Sequence, residues 1–177
     1  EYAIDLVKQV VNMNKGTYLH EDEMVEITPT NFCIGVAGYP EKHFEAPNMV
    51  SDLKHLKTKV DSGAQYIVTQ MFYDNKKYFE FVKQCKDMGI NVPIVPGLKV
   101  MTSKSQASIL PKTFFIDIPQ ELMESIDKCK NDADAKEAGI EWSTQQAKEL
   151  IKFGAPVLHF YTMGSAEPVR RVVSAVF

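Results

Sequence analysis

The sequence predicts an α/β fold built from parallel βα units, and three observations carry that reading. Short apolar runs alternate with helical patterns at steps of roughly 25–35 residues, the rhythm of strand, crossover helix and next strand. The runs are apolar almost throughout, as suits strands buried in a parallel sheet. No run is followed by G-x-G-x-x-G, and Gly35-Val-Ala-Gly38 has the wrong spacing. Weight therefore moves from a doubly wound dinucleotide fold to a (β/α)8 TIM barrel. Four such units are about half of a barrel of typically ~250 residues. Half a barrel leaves two open sheet edges, so residues 1–177 are expected to be part of a larger domain.

The elements follow in order. Ile4, Val7 and Val11 share one helical face near the start. The chain begins and ends inside helical patterns, with no cap before the first and no stop signal in the last, and so reads as an excerpt. Residues 14–30 are polar and irregular, which suits a surface loop. Residues 32–38 form a first strand, bounded by Asn31 and by Tyr39-Pro40. Met49, Leu53, Leu56 and Val60 make one stripe of a helix over residues 48–62, ended by Gly63. Residues 66–72, β-branched and aromatic, form a second strand. Tyr78, Phe81, Val82, Cys85 and Met88 mark a helix stopped by Gly89. Residues 93–98 form a third strand, carrying prolines that a strand interior does not readily take. Residues 102–154 are helical, with interruptions at Pro111 and Pro119 and a turn or helix start over 130–134. Residues 157–162 form a fourth strand, and a last helix starts near Ala166 with Pro168 in its first turn.

Composition narrows the function. Hydrophobic residues make up 45% and charged residues 24%, close to an ordinary globular domain. No apolar run is long enough to span a bilayer, so no membrane partner is expected. The formal net charge is −3, which lacks the basic footprint of a nucleic-acid binder. Cys33, Cys85 and Cys129 are far apart and odd in number, so they read as reduced thiols in a cytoplasmic setting. No His or Cys falls at metal-ligand spacing.

In a βα barrel the working groups lie at the C-terminal ends of the strands. Here those ends carry Tyr39 to Ala46, Thr69-Gln70 and then Tyr73-Asp74, Pro96-Gly-Leu-Lys99 and His159 to Thr162. Each has a plain alternative. Gln70 lies in an apolar strand, where an amide must be hydrogen-bonded, and it either binds a ligand or ties neighbouring backbone. His43 is a lone loop histidine between Glu41 and Glu45, a setting that is more often solvated than catalytic. Asp52 and Lys59, seven apart, share a helix face that on pattern alone reads as solvated. His159 and Tyr161 alternate along the last strand, so one of them can be plain core.

Laid end to end, these residues resemble the catalytic barrel of the methylenetetrahydrofolate reductase family. Val36-Ala-Gly-Tyr-Pro-Glu-Lys-His-Phe-Glu-Ala46 is similar to that family's A-A/G-Y-P-E-x-H-x-E-A. In register after it come Asp52-Leu-Lys-His-Leu-Lys-Thr-Lys-Val-Asp-Ser-Gly-Ala64 and Ile67-Val-Thr-Gln-Met-Phe-Tyr-Asp74. Ile94-Val-Pro-Gly97, Ile118-Pro119, Ala138-Gly-Ile140 and Leu158-His-Phe-Tyr-Thr162 complete the ordered blocks.

The resemblance implies a cytoplasmic flavoenzyme that is a homo-oligomer at full length. FAD would lie across the barrel mouth, NADH or NADPH would reduce it, and the flavin would pass hydride to 5,10-methylenetetrahydrofolate, giving 5-methyltetrahydrofolate. The resemblance matches Ala37, Tyr39, His43, Glu45, Ala46, Asp52 and Lys59 to FAD-contacting positions, with His55 and Thr58 at two further FAD-helix positions where the family has Asn and Arg. Gln70, Gln106 and Tyr161 match substrate-contacting positions. Residues 1–177 would supply strands five to eight. The family's general acid lies on strand one, so no catalytic residue is expected here, and the chain alone is expected to be inactive.

Departures are specific. The Asn-Arg that follows the family's last strand is absent, with Met163, Gly164 and Ser165 in that stretch, and Arg170 or Arg171 is the available substitute. Leu110 stands where the family has an aromatic over the substrate. Two other readings remain: a βα-barrel enzyme for a phosphorylated metabolite, and a non-catalytic or degenerate barrel fragment.

Overall fold

The computed structural model describes residues 2–18, 28–162 and 164–177. Most of the expected loop over 14–30, together with Glu1 and Met163, lies outside the described residues. The elements alternate: α1 (Ala3–Asn14), β1 (Gly35–Gly38), α2 (Met49–Asp61), β2 (Tyr66–Met71), α3 (Asn75–Asp87), β3 (Ile94–Leu98), α4 (Gln106–Phe114), α5 (Gln120–Lys128), α6 (Asp132–Phe153), β4 (His159–Phe160) and α7 (Glu167–Val176). The four strands pair in parallel in the order β1-β2-β3-β4. Sequential order with helical crossovers is the wiring of a βα-barrel arc, so the α/β barrel reading holds. No described helix is long and apolar enough to cross a membrane.

Local chemistry sets the helix ends. Asn48, Asp74 and Asn131 accept from backbone N–H groups of Ser51, Lys76 and Asp134 at 2.9, 2.9 and 3.0 Å, capping α2, α3 and α6. Gly154, with φ at 97°, closes α6 in the left-handed region.

The main core lies on one side of the sheet. Val36, Ile67, Ile94 and Leu98 pack there against Leu53, Leu56, Phe81, Cys85, Ala147 and Leu150. Burial pushes the Cys85 thiol up to about 12, so it behaves as an apolar core residue. The other side of the sheet is less covered. Ala37 is exposed, and Tyr66, Val68 and Gln70 are half-buried. A parallel sheet is normally covered on both faces, and an arc of a barrel turns this second face toward the lumen. A second core, with Met71, Tyr73, Met101, Leu110, Leu122 and Ile126, caps the C-terminal ends of β2 and β3 with α4, α5 and the start of α6.

Three sequence expectations need correction. Pro111 does not interrupt its helix. Phe115 N–H still bonds the Pro111 carbonyl at 2.9 Å, and α4 ends only where Phe115 turns left-handed. Pro119 is the true boundary, as the N-cap of α5. The third strand keeps Pro96 inside it, between β2 and β4. Leu98 faces β4, since its carbonyl accepts from Tyr161 N–H at 2.8 Å. By alternation Pro96 faces β4 as well, and it has no N–H to give. The fourth strand therefore begins at His159 instead of Val157, which is 55% exposed. The first strand likewise begins only at Gly35, with Phe32 and Cys33 exposed ahead of it.

Candidate active site

The C-terminal ends of the strands build two clusters. The first belongs to β1, the loop after it and α2. Tyr39 and His43 meet edge to face at 4.6 Å. Asp52 Oδ2 accepts from His43 N–H at 2.9 Å, and Lys59 Nζ donates to the Ala37 carbonyl at 2.9 Å. Asp52 and Lys59 therefore turn inward over the strand end, and their shared helix face is half-buried instead of freely solvated. Burial pulls the Lys59 ammonium below its ordinary range, with Asp52 opposing. Burial likewise raises the Tyr39 phenol, helped by Asp52 and Glu45. His43 Nδ1 accepts from Glu45 N–H at 3.3 Å, which places the ring hydrogen on Nε2. The Glu45 carboxylate, 3.9 Å from that same nitrogen, therefore makes no hydrogen bond to it.

The loop is held from inside. Lys42 adopts φ of 74° and its ammonium bonds the carbonyls of His43 and Ala46 at 2.9 and 2.7 Å. Ala46 is buried by this turn. His55 is exposed on α2, on the Asp52–Lys59 side. The Thr58 hydroxyl bonds Lys54 O at 2.8 Å on its own helix and does not join the cluster.

The second cluster lies on β2, β3 and β4. Val68 pairs with Val95 but Met71 with Gly97, so three steps along β2 match two along β3. This bulge shifts the ladder by one residue, and side chains bond the backbone beside it. Gly97 N–H donates to Thr69 Oγ1 at 2.9 Å, and Met71 N–H donates to Gln70 Oε1 at 2.9 Å. Tyr161 reaches across β3 and gives its hydroxyl to Thr69 O at 2.9 Å. Gly97 leaves room for it, since a Cβ there would stand 2.3 Å from Thr69 O and 2.7 Å from the Tyr161 ring. Burial raises the Tyr161 phenol, with Tyr39 adding to it. Gln106 opens α4, and its Oε1 accepts from Thr102 N–H at 2.8 Å. No hydrogen bond joins Gln70 to Gln106 among the described residues.

The bonding fixes both amide orientations. A backbone N–H can only donate, so each glutamine commits its carbonyl to the protein. Gln70 then presents its NH2 group to the open face, while the Gln106 NH2 lies 3.2 Å from Thr102 Oγ1.

A third set of residues, not marked by the sequence reading, bridges the loops. Glu41 Oε2 accepts from Asp117 N–H at 2.6 Å, and Lys77 pairs with both Glu41 and Asp117. Phe44 and Phe115 stack at 4.6 Å beside them. Thr69 and Gly97 were placed at strand ends by the sequence, but their bonding and this bridge were not foreseen because each signal is positional. Only Pro96-Gly97, a proline inside a strand, hinted at an irregular pairing. Arg171 is held by Glu137 through two bonds of 2.6 Å, which leaves Arg170 as the exposed arginine of the pair. Among the described residues no acidic, His or Cys cluster could hold a metal.

The fold is that of a βα-barrel protein, with polar and aromatic side chains gathered at the C-terminal strand ends. The chain belongs to the methylenetetrahydrofolate reductase family, whose model matches residues 1–176. It is 38% identical over 173 residues to methylenetetrahydrofolate reductase 1 of Schizosaccharomyces pombe, covering 97% of this chain and 26% of that protein. It is 39% identical over 142 residues to methylenetetrahydrofolate reductase (NADH) 1 of Arabidopsis thaliana, covering 75% of this chain and 24% of that protein. The chain thus spans about a quarter of the length of these curated relatives. A solved structure of an uncharacterized Clostridium thermocellum protein that binds two copies of 5-methyl-5,6,7,8-tetrahydrofolic acid shares the fold. Its TM-score is 0.52 at 16% identity, with 80% of this chain and 51% of that one covered.

Proposed function

We propose that this chain supplies strands five to eight of a methylenetetrahydrofolate reductase barrel, which reduces 5,10-methylenetetrahydrofolate to 5-methyltetrahydrofolate with NADH or NADPH. The observation that carries the reading is the division of the mouth into a charged, aromatic cluster and an amide cluster, on a chain of this family.

The first cluster fits FAD. The Lys59 ammonium is half-buried and disfavoured by burial, so an anionic pyrophosphate beside it offsets that cost. Ala37 is exposed and small, which leaves the strand backbone open to a flat ring. Tyr39 and His43 offer ring surfaces, Asp52 accepts from hydroxyls, and Glu45 and Ala46 shape the turn. Bound there, FAD supplies the hydride relay between the nicotinamide and the folate. On the other side Gln70 donates its NH2 group to an acceptor atom of the pterin. Gln106 and Tyr161 bound the same space. A ring-opening reduction also needs a proton at the departing nitrogen, and the general acid is assigned to the other half of the barrel.

The test is the full-length protein purified with its upstream sequence. It should carry a flavin absorbance spectrum, bleach anaerobically with NADH or NADPH, and regain colour with methylenetetrahydrofolate. A colourless protein that takes up no FAD would overturn the reading.

A further inference from the structure

We propose that Thr69, which belongs to neither set of ligand-contacting residues, is the positioning residue that aims Gln70 and Tyr161 at the substrate; the proposal rests on the folate reading above. Thr69 is fully buried, with 0% of its surface exposed. It sits inside the β2 bulge, between Val68 and Met71. Its Oγ1 accepts from Gly97 N–H at 2.9 Å, and its carbonyl accepts from the Tyr161 hydroxyl at 2.9 Å. One residue thus ties the ends of three strands.

The consequence for Gln70 follows from register. In an unbroken parallel ladder Gly97 N–H would bond a β2 backbone carbonyl. Here Gly97 N–H bonds a side-chain oxygen, and β2 gains one residue against β3. Gln70 lies on the half-exposed face by the plain alternation of β2, and beside the extra residue its Oε1 accepts from Met71 N–H. Without Thr69 Oγ1 the buried Gly97 N–H loses this bond. The repair open to the sheet is to draw a backbone carbonyl onto Gly97. That repair undoes the bulge and shifts Met71 N–H, the donor that orients the Gln70 amide. Tyr161 is coupled to the same point, because its ring lies over Gly97 where a Cβ would stand 2.7 Å from it. The hydroxyl of Thr69 therefore holds the bulge at which the Gln70 amide and the Tyr161 phenol are both bonded.

The experiment compares Thr69→Val, which keeps the shape and removes the acceptor, with Thr69→Ser, which keeps the acceptor. In the full-length protein Thr69→Val should raise KM for methylenetetrahydrofolate about tenfold with FAD content unchanged, and Thr69→Ser should stay within about twofold of wild type. In a Gln70→Ala background Thr69→Val should add less than about twofold, because the side chain it aims is gone. A residue that only stabilises the fold would cost the same in both backgrounds. The Gln70 side-chain amide signals, identified in 15N-glutamine-labelled protein by their loss in Gln70→Ala, should move in Thr69→Val and return in Thr69→Ser. Unchanged signals in Thr69→Val, or equal KM effects in the two backgrounds, would overturn the proposal. A wild-type protein that never turns over methylenetetrahydrofolate defeats the folate reading, while the amide signals still decide the role of Thr69.

Discussion

The two sides of the mouth are built on opposite principles. On the β1 side, the cluster rides on a loop and one helix face: Tyr39, His43, Asp52 and Lys59 are held through single contacts and remain partly open to water. On the β2–β4 side, Gln70, Thr69, Gly97 and Tyr161 are fixed by side-chain bonds to strand backbone at the bulge. The first arrangement tolerates adjustment to a large ligand. The second fixes the direction in which one amide points. The difference suits a resident dinucleotide on one side and a reacting substrate on the other.

The largest effect that separates them is expected from Gln70→Glu. The carboxylate still accepts from Met71 N–H, but the outward NH2 becomes an acceptor that faces an acceptor. We expect kcat/KM for the folate to fall about 100-fold, with flavin content unchanged. Steady-state kinetics with an absorbance ratio for bound FAD checks both. Equal loss of flavin would erase the distinction between the two sides.

The same contrast governs what the sequence reveals. The β1 side is nearly all legible, because its chemistry sits in one continuous stretch from Ala37 to Lys59 with helical spacing. Even there, pattern alone left the Asp52–Lys59 face as solvated, since only the strand end below it shows where that face points. On the other side Gln70 and Tyr161 are legible as polar residues in strands, but their geometry is not. The bulge depends on how β2 meets β3, a pairing between residues far apart in sequence. Thr69 then reads as one more β-branched strand residue. Pro111 misled for the converse reason: its local cost was counted, while the packing of Ala107 and Leu110 that carries α4 through it was not.

A second, smaller effect is expected from Lys59→Ala. Removing the ammonium should weaken FAD binding roughly tenfold, since a charged hydrogen bond to an anion is lost at a half-buried position. At saturating FAD, KM for the folate should stay within about twofold. Apoprotein titration with FAD, followed by kinetics on the reconstituted enzyme, measures the two quantities. A matching rise in folate KM would show that Lys59 serves both ligands.

The smallest effect concerns Glu41, which lies where the two sides meet, between Tyr39 and Gln70. Burial raises its carboxyl above the ordinary value of 4.5, against the opposing pull of Asp117 N–H and the Lys77 ammonium. Between the ordinary and the raised value the folded protein holds more protons than the unfolded chain. Its contribution to stability is therefore full at low pH and is lost as pH rises through the folded value. Glu41→Gln stays neutral, can still accept from Asp117 N–H, and leaves Lys77 paired with Asp117. The unfolding free energy of wild type minus that of Glu41→Gln should thus decline as pH climbs from about 4 to 7, by no more than about 1 kcal/mol. Denaturant unfolding at several pH values measures it. A difference that grows with pH would mean that the Lys77 pair outweighs burial. In that case the loop bridge is an electrostatic clamp between the two sides, and changes on one should be felt on the other.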